Sequence, residues 1–317
     1  MKVVSDLSNC NSSGDGHVVT IGVYDGVHLG HRSVIDLAQD AAASRADGDV
    51  KTAVVTFEPH PAYVLRSDNA PKLLTTLEHK LELLSSAGVD TTVVVPFDRS
   101  RAAETPEEFV SAVLVNCLRA QLVVVGHDFH FGAKRVGNVE VLTKLGLSYG
   151  FEVEGLGLLP RSSGPAEPIS STAIRRALAG GNVAVAAAML GRHHEVWGEV
   201  VHGDQRGRQI GFPTANIAVE TMYAVPADAV YAGWYVRPDG SRWPAAINVG
   251  KRPTFYQNAE HSVVEAHLIG FEGQLYGEPA RLEFVQLLRS EQRFDGIEAL
   301  VTQLNIDVER AAAALEN

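Results

Sequence analysis

Two histidines, His28 and His31, stand three residues apart in the segment TIGVYDGVHLGHR, with Asp25 and Gly26 just before them and Gly30 between. The segment reads as a strand, a glycine-punctuated turn and a helix opening near His31. Such a turn aims backbone N–H groups at whatever lies beyond the strand, and an anion is its natural occupant. Gly30 lets the backbone come close to that occupant. An imidazole pair there can donate hydrogen bonds to phosphate oxygens as charge builds up during attack at the α-phosphorus of a nucleoside triphosphate. Each well-aimed donor is worth roughly 2.7 to 4 kcal/mol in the transition state, and no covalent intermediate is required. The plainer alternatives are ordinary loop histidines, or two members of a zinc set whose third ligand the sequence does not identify.

Three further segments carry chemistry. In ISSTAIRRALAGG, Ser171 can cap a helix and Arg175 falls about one turn into it, which sets hydroxyls and a guanidinium at a helix N-terminus. A good cap with a surface arginine is the alternative. In VVHGDQRGRQIGFPTANI, Gly203, Gly207 and Gly211 permit a tight backbone wrap around phosphates, while Arg206 and Arg208 bring positive charge. The stretch Pro213 to Asn216, taken alone, reads first as a turn with an Asx hydrogen bond. In SVVEAHLIG, Glu265 sits among apolar residues, so its carboxylate must be paired, solvated or functional. The structural alternative is a barrel-rim carboxylate in a salt bridge.

Something must position these residues. From His17 to about Gly181, β-branched runs (VVTIGV, TAVVTF, TTVVVPF, LVVVG) alternate with helical stretches, the pattern of βαβ units around a parallel sheet. Thr105, Pro106 and Glu108 have the spacing of a capping box, and Thr75 with Glu78 repeats it. An α/β fold of Rossmann type follows for this part. After Gly191 the strand-like segments HEVWGEVVHG, YAGWYV, AAINVG, VVEAHLIG and RLEFVQLL, separated by glycine, proline and charged turns, favour an antiparallel barrel. The tail from about Gly296 has the spacing of an amphipathic helix that packs on it. The change of texture falls between Gly181 and His194, which predicts domains at residues 1–185 and 186–317.

Composition narrows the class. At 317 residues the chain exceeds what one core usually supports, so two domains are the first expectation. A net charge of −11 argues against duplex nucleic acid as a partner and requires local groups to attract any anionic substrate. Cys10 and Cys117 are too few for a stapled secreted fold and have no metal-ligand spacing, so a reducing cytoplasm fits best. The start shows no signal peptide and no run has the length of a membrane helix, which predicts a soluble chain with no membrane partner. Oligomeric state is not set by these features.

With VTFEPHP and VGHDFHFG added, residues 17–180 resemble the adenylyltransferase domain of prokaryotic FAD synthetases, within the HxGH nucleotidyltransferases and their ISSTxxR-type signature. The resemblance implies that His28 and His31 handle the ATP phosphates and that Ser171, Thr172 and Arg175 bind the triphosphate. It implies further that Gly22, Asp25, Gly30 and Asp128 belong to the nucleotide site. Tyr24 stands where phenylalanine is common, and His130 occupies a variable position. Loop capping or turn formation is the plainer reading of Asp25, His60 and Asp128.

Residues 194–310, with GFPTAN intact from Gly211 to Asn216, resemble riboflavin kinases. That likeness implies that Gly203, Arg208, Gly211, Pro213, Thr214 and Asn216 hold ATP, with Thr214 and Asn216 also coordinating Mg2+. It makes Glu265 the general base toward the flavin ribityl hydroxyl, and lets Arg289 and Phe294 line the isoalloxazine pocket. A charged loop leading into a helix is the simpler reading of that last pair. Together the two likenesses imply a bifunctional enzyme that uses ATP to turn riboflavin into FMN and FMN into FAD. The alternatives are a kinase whose first domain binds nucleotide without turnover, and a flavin-binding or sensing protein that does no chemistry.

Overall fold

Strands buried on both faces carry unbroken apolar runs rather than alternation, and the first half of the chain shows this directly. Val18, Val19, Val54, Val55, Val93, Val123 and Val124 are all essentially inaccessible to water. The computed structural model describes residues 1–10, 16–45, 50–157, 168–203, 206–251 and 262–316. These form two units: Met1–Pro71 with Leu77–Ile169, and Lys72–Thr76 with Ser170–Asn317.

In the first unit, β1 (Lys2–Val4), β2 (His17–Ile21), β3 (Lys51–Glu58), β4 (Thr91–Pro96), β5 (Ala120–Gly126) and β6 (Glu152–Leu156) form one sheet in the order β1-β4-β3-β2-β5-β6. Every pairing is parallel, as the sequence pattern predicts. The helices are α1 (Leu29–Ala43), α2 (Pro61–Leu65), α3 (Leu77–Ser86), α4 (Arg99–Ala102), α5 (Pro106–Phe109) and α6 (Val139–Tyr149); α5 runs on into a π-helical stretch, Val110–Cys117. One face of the sheet packs on Phe109, Val113, Leu114 and Leu142. The other receives α1 through Ile35, Ala38 and Ala42, and α3 through Leu84. Both halves of the Thr105–Glu108 capping box are made, with Pro106 in the first turn. Cys10 and Cys117 are joined by a disulfide, their Cα atoms 4.9 Å apart, which ties the N-terminal segment to the π-helical stretch.

The second unit opens with α7 (Ser171–Ala179) and α8 (Val183–Leu190). It continues through β7 (His194–Val201), α9 (Arg206–Gln209), β8 (Ala215–Ala218), β9 (Ala229–Val236), β10 (Arg242–Lys251), β11 (Ser262–Leu268) and β12 (Pro279–Ser290) to α10 (Ile297–Leu315). The six strands close a barrel in the order β10-β11-β8-β7-β12-β9, all antiparallel. Tyr231, Tyr235, Ile247, Val264, Leu282 and Phe284 fill its core. The tail helix lies on β9, β10 and β12, as its periodicity predicts. α8 packs on β7 and β12, so α7 and α8 count with the barrel although the texture of the sequence changes only after them.

Candidate active sites

In the parallel sheet the chain moves from β2 to β3 on one side and later returns to β5 on the other. The crevice at such a reversal, beyond the carboxyl ends of the strands, is where open α/β sheets receive ligands. The HLGH turn follows β2 and Asp128 follows β5. Tyr24 (φ 53°), Gly26 (φ 83°) and Val27 (φ 37°) all adopt positive φ. For a β-branched valine this is a strained conformation, of the kind that clusters at functional sites.

His28 ends the turn by capping α1, its Nδ1 accepting the His31 N–H at 3.2 Å. That bond needs a lone pair on Nδ1, so the proton of the neutral ring is on Nε2. The two imidazoles stack with centroids 3.6 Å apart and planes 12° from parallel. Tyr24 braces His31 at 4.8 Å, and its own hydroxyl is hydrogen-bonded to Thr20 Oγ1 at 2.6 Å. His31 Nδ1 is buried with no hydrogen-bond partner among the described residues. Burial first, then His28 and the Lys80 charge, hold the His31 pKa well below the usual 6.5, so the ring is a neutral donor at pH 7. A Cβ on Gly30 would press on the His28 ring at 3.2 Å and on the Ile169 carbonyl at 3.4 Å, which is why glycine stands there. Gly22 lies under the Tyr24 ring. Asp25 and His28 are buried and Asp128 is exposed. His60 caps α2 through the Ala62 N–H at 3.0 Å, in line with the plain capping reading, and His130 Nδ1 is bonded to the Asp128 carbonyl at 2.8 Å.

The second signature differs in one detail from its sequence reading. Ser170, not Ser171, caps α7: its Oγ accepts the Ala173 N–H at 3.2 Å, because a capping oxygen reaches the amide three residues ahead. Ser171 and Thr172 therefore occupy the first turn itself. Arg175 donates from Nε to the Lys72 carbonyl at 2.5 Å.

On the barrel, strand register builds a polar row. Asn216 of β8 lies directly opposite Glu265 of β11, which in turn lies opposite Asn248 of β10. All three are on the face turned away from Ile217, Val264 and Ile247, whose side chains enter the core. His267, two residues beyond Glu265, pins the GFPTAN segment by donating from Nδ1 to the Pro213 carbonyl at 2.8 Å. Gly203, Arg208, Pro213, Thr214 and Asn216 line a cleft of about 380 Å³ whose other walls include Val200, Phe271 and Tyr276. Any side chain at Gly203 would run into the Asn216 amide. Gly211 turns at φ 89°. Residues 204 and 205 and the side chain of Arg206 lie outside the described residues.

Arg289 makes a two-point ion pair with Asp307 of α10, Nη2 to Oδ2 at 2.7 Å, and lies over Phe294 at 5.6 Å. Among the described residues no group of three or more His, Cys, Asp or Glu side chains could hold a metal ion. Sequence reading missed Lys80, Asn248, His267 and Asp307. Only Lys80 carried a signal, a charge four residues before Leu84 on the inner face of its helix.

Residues 10–173 match the FAD synthetase family and residues 190–315 the riboflavin kinase family. The bifunctional riboflavin kinase/FMN adenylyltransferase of Escherichia coli (strain K12) is 37% identical, over 97% of this chain and 96% of its own length. The proteins so named from Haemophilus influenzae and Bacillus subtilis are 36% and 34% identical, over 99% and 95% of this chain and 99% and 93% of their own lengths. A crystal structure described as a macrolide-efflux protein from Streptococcus pneumoniae superimposes with a TM-score of 0.85 at 29% identity, covering 98% of both chains. No helix among the described residues is long and apolar enough to cross a membrane.

Proposed function

The chain belongs to the bifunctional riboflavin kinase/FMN adenylyltransferase family, and from that premise we propose that its two reactions divide between its halves. It phosphorylates riboflavin with ATP to give FMN, and it transfers AMP from a second ATP to FMN to give FAD and pyrophosphate. We assign the second step to residues 1–185 and the first to residues 186–317. Two family matches in one chain, with relatives aligned over nearly their whole length, weigh against a single-activity kinase or a flavin sensor. The observation that carries the division is that the two phosphate-handling signatures stand on different folds, HLGH at the mouth of the parallel sheet and PTAN on the barrel.

In the kinase reading, Glu265 accepts the ribityl hydroxyl proton as that oxygen attacks the γ-phosphorus, and ADP leaves. Asn216 and Asn248, opposite it on either side, give the carboxylate a polar setting. Thr214 and Asn216 are neutral oxygen donors in a cleft shared with Arg208. They suit Mg2+, which keeps waters and takes its remaining ligands from phosphate; when bound, the ion neutralises phosphate charge. Arg208 adds local positive charge to the cleft of a chain whose net charge is −11.

In the adenylyltransferase reading, a phosphate oxygen of FMN attacks the α-phosphorus and pyrophosphate leaves. The neutral imidazoles of His28 and His31 donate to the oxygens that gain charge. Ser171, Thr172 and Arg175 hold the outer phosphates, while Gly22, Gly30, Asp25 and Asp128 shape the nucleotide pocket. Flavin rests against Arg289 and Phe294 in the kinase half. The cytoplasm, where ATP is at hand, is the setting we infer for both reactions, although the Cys10–Cys117 disulfide counts against the reducing compartment that the cysteine count suggested.

Separate kinetics test this division. His28→Ala or His31→Ala should abolish FAD formation and leave FMN formation near wild type, whereas Glu265→Gln should suppress FMN formation and still convert supplied FMN to FAD. Equal loss of both activities in either variant would refute the assignment.

A further inference from the structure

The inner face of α3 buries a charge for which neither signature accounts. Lys80 is 4% exposed, and Leu84, one turn further along, is fully buried against Tyr24 and Val27 of the HLGH turn. That face of α3 therefore packs on the turn itself. An ammonium taken from water costs several kcal/mol unless acidic groups face it. Two exert a favourable charge on it: Asp25, 3% exposed, within the turn, and Glu58, half-buried, the last residue of β3. Because β2 and β3 are paired neighbours in the sheet, both acids stand at the carboxyl edge where such sheets receive phosphates. His31, stacked between His28 and Tyr24, feels the same ammonium. Without Lys80, a polyphosphate arriving at this edge would meet two acidic side chains.

Resting on the reading that the HLGH turn receives the ATP phosphates, we propose that Lys80 is a positioning residue of adenylyl transfer. From the buried face of α3 its ammonium anchors Asp25 and Glu58, steadies the His28–His31 stack and cancels acidic charge that would repel ATP. Its role runs through the turn rather than through contact with the reacting atoms.

The test uses the full chain with the two reactions assayed separately. Lys80→Met should raise the KM for ATP in the FMN to FAD reaction by about tenfold or more, a modest share of what one unbalanced charge at close range can exert, with a smaller fall in kcat. FMN formation should stay within about twofold of wild type, since the kinase signature stands on the barrel of the other unit. Adding Glu58→Gln to Lys80→Met removes one of the two acids and should recover most of the lost ATP affinity, a rescue that a merely space-filling lysine would not show. An unchanged KM in Lys80→Met, or no recovery in the double variant, overturns the inference. If Lys80→Met does not fold, as read by circular dichroism, the double variant decides: restored charge balance must restore folding and FAD formation, and failure to do so also overturns it. Failure of the underlying site reading looks different, because His28→Ala would then retain full FAD formation. Loss of FAD in His28→Ala together with a wild-type Lys80→Met would refute the role of Lys80 alone.

Discussion

His194, the first residue of β7, makes the barrel sensitive to acid by an amount that can be worked out. Its ring is 2% exposed and its Nε2 is hydrogen-bonded to the Ala224 carbonyl at 2.9 Å. Burial, opposed in part by that bond and reinforced by the charge of Arg192, lowers its pKa from 6.5 to about 4. Above the higher value neither the folded nor the unfolded ring carries a proton. Between the two values the unfolded chain binds a proton that the folded barrel refuses, so stability is lost as pH falls through this window. At about 1.4 kcal/mol per pKa unit, lowering the pH from 7 to 5 costs about 2 kcal/mol and the full window about 3 kcal/mol. The three tryptophans, Trp197, Trp234 and Trp243, all belong to the second unit, so urea unfolding followed by tryptophan fluorescence reports on the barrel alone. The stability difference between wild type and His194→Gln should shrink by about 2 kcal/mol from pH 7 to pH 5. Parallel pH dependences for the two proteins would refute the reasoning.

Three further outcomes are expected. Asn248→Ala removes the polar neighbour opposite Glu265 and should lower kcat for FMN formation about tenfold, about what a polar group that stabilises the carboxylate is worth, with FAD formation from supplied FMN unchanged in the same steady-state assay. Asp307→Ala strands the Arg289 guanidinium and should destabilise the barrel by about 3 kcal/mol, read by the same tryptophan signal. Chelation with EDTA should stop FMN formation, and excess Mg2+ should restore it, as production of FMN followed by chromatography will show.

The two fold types were legible because their strands obey different rules. Central strands β2 to β5 are covered on both faces and announce themselves as continuous apolar runs, whereas β7, β10 and β12 alternate. β1 and β6 are edge strands of three and five residues, largely open to water, and have no such pattern. β8 has four residues and follows directly on the PTAN turn, too short to declare itself. ISST offers two candidate caps, and only the reach of an oxygen to the amide three ahead selects Ser170. Lys80 carries only its spacing from Leu84 as a signal, and the inner stripe of an amphipathic helix ordinarily excludes lysine, so nothing else in the sequence marks it as buried. Asn248 is one polar residue in an unremarkable strand until the antiparallel pairing of β10 with β11 sets it opposite Glu265. Arg289 and Asp307, 18 residues apart, meet only when α10 folds back on β12.

Two phosphorus transfers from opposite ends of ATP in one chain can be followed most directly with isotopic label. Riboflavin incubated with ATP labelled at the γ-phosphorus should give labelled FMN and labelled FAD, and ATP labelled at the α-phosphorus should give label in FAD alone. Absence of γ-label from FMN, or of α-label from every flavin product, would contradict the assignment of both reactions to this protein.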